Sequence, residues 1–210
     1  MCKVLIHPRK VRKVMKNFLE EASPLTYVTT VFPSLNECEQ NGWDWTEMFD
    51  HGEEKWFPKT CTLTKMDKFA AYCGSFFDED TEETSFFEIG YDGSFDFSGE
   101  GNIAFYTDFV SRCPLARGFG HITLSLLHEL GHFVTAPNFQ GYDRCAAMVE
   151  LRNKAKENNL SISETNKQLY FRLPEETAAT DWAIMWLQDK ENRKIAKAFE
   201  KQFFACFKDA

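Results

Sequence analysis

The chain has 210 residues, of which 43% are hydrophobic and 27% are charged. This balance is typical of an ordinary globular protein, so wholesale disorder and fibrous repeats are excluded. No apolar run reaches the ~18 residues that a membrane helix needs, so we expect no membrane span. The net charge of −8 disfavours a nucleic-acid partner, because an acidic surface repels phosphate. At roughly 150 residues per domain, the chain length favours one domain over residues 1–210.

The cysteines indicate a reducing compartment. There are seven, an odd number without a C-x-x-C pair, which argues against a disulfide framework and against a thiolate zinc site. The first residues also lack the charge order and cleavage site of a secretory signal. We expect a cytoplasmic protein, and its oligomeric state stays open.

The N-terminal 80 residues are predicted to be helical. From Pro8 to Ala22 apolar residues recur every three or four positions, which is typical of one buried helix face. Capping-box starts and terminal glycines predict two further short helices, at 35–41 and 65–73.

A small antiparallel sheet is predicted over residues 85–108. Large apolar residues alternate with polar ones here, and Asp92-Gly93 is a typical hairpin turn. We place strands at 85–90, 94–98 and 102–107.

The chain is predicted to be helical from residue 120 to its end. Helices are expected at 121–134, 142–157, 174–188 and 191–207, the third opening with a first-turn proline. Because strands are followed by helices, the fold class expected is α+β.

The helix predicted at 121–134 carries an H-E-x-x-H motif, from His128 to His132. The two histidines lie about 40° apart around the helix axis and one turn apart along it, so both imidazoles can reach one zinc ion. Glu129 lies about 100° away from His128, where it can reach a metal-bound water.

A catalytic zinc site needs a third protein ligand. No third histidine follows the motif closely, so we expect a carboxylate on a later helix. Glu175 and Glu176, in the first turn of the helix predicted at 174–188, are the two candidates. The small residues Ala179, Thr180 and Ala183 share a face with Glu176, which favours close packing on Gly131.

The chain here resembles the gluzincin metallopeptidases, and most closely the minimal ImmA/IrrE-type family. In that family alanine, an aromatic residue and alanine follow the ligand glutamate at the third, sixth and seventh places, and counting from Glu176 gives Ala179, Trp182 and Ala183. The resemblance implies Zn²⁺ held by His128, His132 and Glu176 within a zincin-like helical core. In gluzincins an aspartate four places after the ligand glutamate often orients a zinc histidine. Here that place holds Thr180.

The resemblance implies a zinc metallopeptidase with Glu129 as general base, which acts by limited proteolysis on a protein or peptide such as a transcriptional repressor. It also implies that the strand before the motif helix, Asn102 to Thr107, binds an extended peptide. A non-catalytic zinc-binding regulatory or interaction protein is the alternative, and a small amide is another possible substrate.

Peptide hydrolysis also needs a donor that stabilises the oxyanion. The sequence offers five candidates without choosing among them: Tyr106, His121, Tyr142, Tyr170 and Arg172.

Overall fold

The computed structural model describes residues 8–23, 27–32, 60–66, 71–78, 83–92, 100–139, 141–157 and 169–206. In the strands it describes the backbone only. Six α-helices are assigned there: α1 Pro8–Ala22, α2 Glu100–Arg112, α3 His121–Thr135, α4 Arg144–Glu157, α5 Pro174–Gln188 and α6 Lys190–Ala205. The strands are β1 Tyr27–Phe32, β2 Thr60–Met66, β3 Ala71–Asp78 and β4 Glu83–Asp92.

The expected fold class, α+β with a small antiparallel sheet at 85–108, is wrong. Of the residues whose side chains the structure describes, 89% are helical and none lies in a strand. Of the four backbone strands, β1 to β3 precede this region and β4 overlaps its beginning. Their order in the sheet is β1-β2-β4-β3. They form a mixed sheet, because β2 pairs in parallel with β1 and β4 while β3 and β4 are antiparallel. The part of the molecule that carries the motif is therefore helical.

The predicted strand at 102–107 is also wrong, since these residues belong to α2. The apolar pair Phe105-Tyr106 is followed four residues later by a second apolar pair, Phe109-Val110. All four side chains lie in the core or pack against it. Such short apolar runs fit the helical period as well as the alternation of a strand. The peptide-binding strand expected from Asn102 to Thr107 is lost with this correction.

The expected helical character of the first 80 residues holds for α1 alone among the described residues. The predicted helix at 65–73 is wrong, because its ends lie in β2 and β3. The predicted strand at 85–90 falls within β4. The predicted helix at 35–41 and strand at 94–98 lie outside the described residues.

The other predicted helices are confirmed. The helix predicted at 174–188 has those bounds in the structure, and α1, α3, α4 and α6 agree with their predictions to within two residues. Periodic apolar residues and Pro174 at the first helical position were sufficient signals for these elements.

The core lies between α1, α3, α5 and α6. Phe18 of α1 stacks on Phe199 of α6, with ring centroids 4.2 Å apart, and meets the edge of Trp186 of α5. The Trp186 indole donates a 2.9 Å hydrogen bond to the Ala22 carbonyl. Ten consecutive residues of α3, 122–131, are buried in this core, so the motif helix is held on all sides. None of the described helices combines the length and apolar composition of a membrane-spanning helix.

Candidate metal centre

The buried helix α3 presents both motif histidines to α5. His128 is 5% exposed, and the His132 side chain is 17% exposed. Because the two are one helical turn apart, their rings meet edge to face at 4.6 Å. The Nε2 atoms lie 3.1 Å apart, so both point to the same place.

Glu176 of α5 completes a triangle of donor atoms. Its Oε2 lies 3.0 Å from Nε2 of His128 and 3.3 Å from Nε2 of His132. Three donors placed tetrahedrally about 2.0–2.2 Å from one ion lie about 3.3–3.6 Å apart. The separations in the triangle are within a few tenths of an ångström of these values. Two imidazoles and a carboxylate are also a typical donor set for catalytic zinc, so the residues present fit a zinc ion.

Close contact between α3 and α5 brings these donors together. Gly131 faces the backbone of Ala179, and a Cβ at residue 131 would lie 2.3 Å from the Ala179 oxygen. The expected close packing of α5 on Gly131 is therefore confirmed.

Thr180 and Phe105 orient the ring of His128. The Thr180 hydroxyl lies 3.0 Å from Nδ1 of His128, and the Phe105 ring meets the imidazole edge to face at 5.1 Å. If Nδ1–H donates to Thr180, Nε2 carries the lone pair that a metal needs. Asp181, the next residue, pairs instead with Arg112 of α2.

The structure separates the two candidate carboxylates. Glu176 is 1% exposed and lies in the donor triangle, whereas Glu175 lies outside it, with Oε1 3.4 Å from Nε of Arg144. The second oxygen of Glu176, Oε1, accepts a 2.7 Å hydrogen bond from Nη2 of Arg144. Metal ligation by Glu176 remains a prediction, and its placement agrees with it.

The electrostatics of the triangle keep its carboxylate charged. Burial would raise the pKa of Glu176, but hydrogen bonds to His128 and His132 hold it well below its usual value. Burial lowers the pKa of His128 and outweighs the effect of Glu176. Burial would also lower the pKa of His132, but the Glu176 hydrogen bond and the Glu129 and Glu176 charges raise it overall.

Glu129 lies beside the triangle but is not part of it. It is 8% exposed, and its charge acts on His132. A buried carboxylate whose charge acts on a motif histidine is a candidate for the general base that accepts a proton from a bound molecule.

Of the five candidate oxyanion donors, Tyr170 lies beside Glu176. Burial and the neighbouring Glu176 charge raise its pKa, so its hydroxyl keeps its proton. Tyr106 donates to the Phe119 carbonyl and stacks on His121. Tyr142 lies near Glu175, and burial raises its pKa to about 12. Arg172 lines a cavity of about 750 Å³ between α2 and the start of α5.

Arg144 is the site residue that sequence reasoning missed. It lies 32 residues before Glu176, and no motif connects the two. One signal was present: arginine in the first turn of a helix opposes the macrodipole, so a nearby anion could have been expected.

Comparisons with known proteins do not assign a family to this chain. Searches of protein-family models, of curated proteins and of solved structures found no match. The likeness to ImmA/IrrE-type metallopeptidases therefore depends on the motif residues themselves.

Proposed function

We propose that this protein is a zinc-dependent metallopeptidase. The observation that carries the proposal is the donor triangle of His128, His132 and Glu176, with the buried carboxylate of Glu129 directly after the first histidine. A structural zinc site has four protein ligands, whereas three ligands leave a position open for water or substrate. The general base next to a three-ligand set favours catalysis over a structural role.

His128, His132 and Glu176 would hold the ion. When bound, zinc lowers the pKa of water from 15.7 to about 7 and polarises a carbonyl group. The nearly complete burial of Glu176 keeps bulk water from competing for its oxygens. In the tautomer in which Nδ1–H of His128 donates to the Thr180 hydroxyl, Nε2 would keep the lone pair that the ion needs.

Glu129 moves the proton in the proposed reaction. Its carboxylate accepts a proton from the attacking water and then passes that proton to the nitrogen of the leaving amine. The Tyr170 hydroxyl, which stays protonated beside Glu176, is the proposed donor to the oxyanion of the tetrahedral intermediate.

The proposed substrate is a protein or peptide in the cytoplasm. Cys113, Cys145 and Cys206 are free thiols, which agrees with a reducing compartment. The family resemblance favours limited proteolysis of one partner, for which a transcriptional repressor is the proposed type.

A cleavage assay on a peptide library tests this function. Zinc-loaded wild type should cleave members of the library, whereas Glu129→Gln should bind the same amount of zinc without cleaving, because an amide does not accept the water proton. Glu150→Gln is the matched control, since Glu150 is exposed and pairs only with Lys154 on its own helix among the contacts described. Tyr170→Phe should bind zinc normally and cleave about 10²–10³-fold more slowly.

Two results would contradict the proposal. Equal cleavage by wild type and Glu129→Gln would remove Glu129 from the mechanism. Zinc binding without cleavage in any form of the protein would favour the regulatory, non-catalytic interpretation instead.

A further inference from the structure

We propose that Arg144 is a positioning residue that holds Glu176 as a one-oxygen ligand and thereby sets the affinity and coordination geometry of the zinc site. This inference rests on the proposed function, and it assigns a role to a residue outside the motif and outside the ligand set. It concerns how the protein fixes its carboxylate ligand before a metal arrives.

Three contacts fix the Arg144 guanidinium. Its Nη2 lies 2.7 Å from Oε1 of Glu176, and its Nε lies 3.4 Å from Oε1 of Glu175. Its central carbon lies 5.0 Å from the centroid of the Tyr170 ring, in a cation–π contact. The guanidinium is planar and carries donors in a fixed fork, so it can bind two neighbouring carboxylates at once.

The start of α4 brings Arg144 to this position. Gly141 has a positive φ of 74°, which glycine adopts without strain. Asp143 then caps the helix, because its Oδ1 accepts a 2.9 Å hydrogen bond from the Ala146 amide. Arg144 is the first residue of α4, where a cation opposes the helix dipole. The negative charges of Glu175 and Glu176 offset the unfavourable interaction of the Arg144 cation with the helix dipole.

Because of this contact, the two carboxylate oxygens of Glu176 have different partners. Oε1 is occupied by Arg144, while Oε2 is the atom near both imidazoles. A carboxylate free of Arg144 could rotate and present both oxygens to an ion. Arg144 therefore selects one-oxygen coordination and supplies the partner that a buried carboxylate oxygen needs.

Glu175 is the second carboxylate in this arrangement. Glu175 is 8% exposed although it is outside the donor triangle. Its ion pair with Arg144 makes it the second anchor of the fork. A lysine at position 144 would keep the charge but, as a single point donor, would not replace the fork.

Metal titrations of the metal-free protein test the inference. Zinc affinity is measured by competition with a chromophoric chelator, and cobalt(II) is added separately because its visible spectrum reports coordination number. The variants are Arg144→Ala and Arg144→Lys. Lys154→Ala is the control, since it removes another cation of α4, and the ion pair that Lys154 makes with Glu150 is exposed.

We expect Arg144→Ala to bind zinc about 10–100-fold more weakly than wild type, as for the loss of other outer partners of metal ligands. Its cobalt spectrum should change as the second Glu176 oxygen becomes available. Arg144→Lys should show the same spectral change although it retains the positive charge. If the alanine variant does not fold, the lysine variant alone tests whether Arg144 positions Glu176. Lys154→Ala should keep the wild-type affinity and spectrum.

Wild-type zinc affinity and an unchanged cobalt spectrum in both Arg144 variants would overturn the role of Arg144 and leave the proposed function intact. Equal weakening in the Lys154 and Arg144 variants would also overturn it, because a general charge effect would then explain the loss. A wild-type protein that binds no zinc would instead overturn the proposed function, and the role of Arg144 with it.

Discussion

Gly131 of α3 and Ala179 of α5 are in backbone contact, with space for a hydrogen but not for a methyl group. A Cβ on Gly131 would lie 2.3 Å from the Ala179 oxygen and 2.9 Å from the Ala179 Cα. This contact lies next to His132 in one helix and next to Thr180 in the other. The distance between the two helices therefore determines whether the three donor atoms can meet.

Gly131→Ala should separate the helices and damage the metal site. Because the obstacle is backbone, we expect a loss of about 1–3 kcal/mol in the free energy of unfolding together with weaker zinc binding. Denaturant unfolding and zinc titration measure the two effects. Gly101→Ala is the control, since none of the residues that the structure describes lies within 4 Å of its Cβ position. Equal stability of both variants would contradict the steric account.

Thr180→Val should weaken zinc binding without unfolding the protein. Valine keeps the shape of threonine but loses the 3.0 Å contact to Nδ1 of His128, so the imidazole is no longer held in one tautomer. We expect a loss of about 10–100-fold in zinc affinity. Thr177→Val, which removes a hydroxyl bonded to the Phe171 carbonyl, should bind zinc normally. A similar affinity in both variants would show that Thr180 does not support the ligand.

Glu176→Ala should bind zinc far more weakly than Glu175→Ala. Glu176 supplies a donor atom of the triangle, whereas Glu175 contacts Arg144. We expect the first variant to lose more than the roughly 10–100-fold that an outer partner costs. The second should lose less than that, in addition to a helix-dipole effect of about 0.3–1 kcal/mol on stability. The reverse ranking in a zinc titration would make Glu175 the ligand.

Zinc affinity should rise with pH because a proton competes for His132. Burial would lower the pKa of this imidazole, but Glu176 and Glu129 raise it above 6.5, so the metal-free side chain is protonated at and below that pH. Zinc must displace this proton. The dissociation constant should therefore fall about tenfold per pH unit up to the raised pKa and then level off. Calorimetry in buffers of different ionisation enthalpy counts the released proton, and a dissociation constant independent of pH would contradict the account.

The sequence was informative where a pattern was local. The period of apolar residues was sufficient for α3 and α5, and helical spacing alone brought His128 and His132 together. The sequence was ambiguous for α2, because the spacing of Phe105 and Phe109 fits both the helical period and the alternation of a strand. The sequence carried almost no signal for Arg144, whose role depends on a contact with Glu176, 32 residues further along the chain, that no local pattern encodes. Likewise, threonine at position 180 indicates from sequence the loss of a supporting aspartate, whereas in the structure its hydroxyl contacts the imidazole of His128.

Zinc content is the most direct test of the central claim. Native mass spectrometry of protein grown in zinc-replete medium should find about one zinc per wild-type chain, because the triangle supplies three ligands to one ion. His132→Ala should carry none and should melt at a lower temperature than the zinc-loaded wild type, since binding to the folded state stabilises it. A wild-type chain that carries no zinc and takes up none on addition would contradict the account.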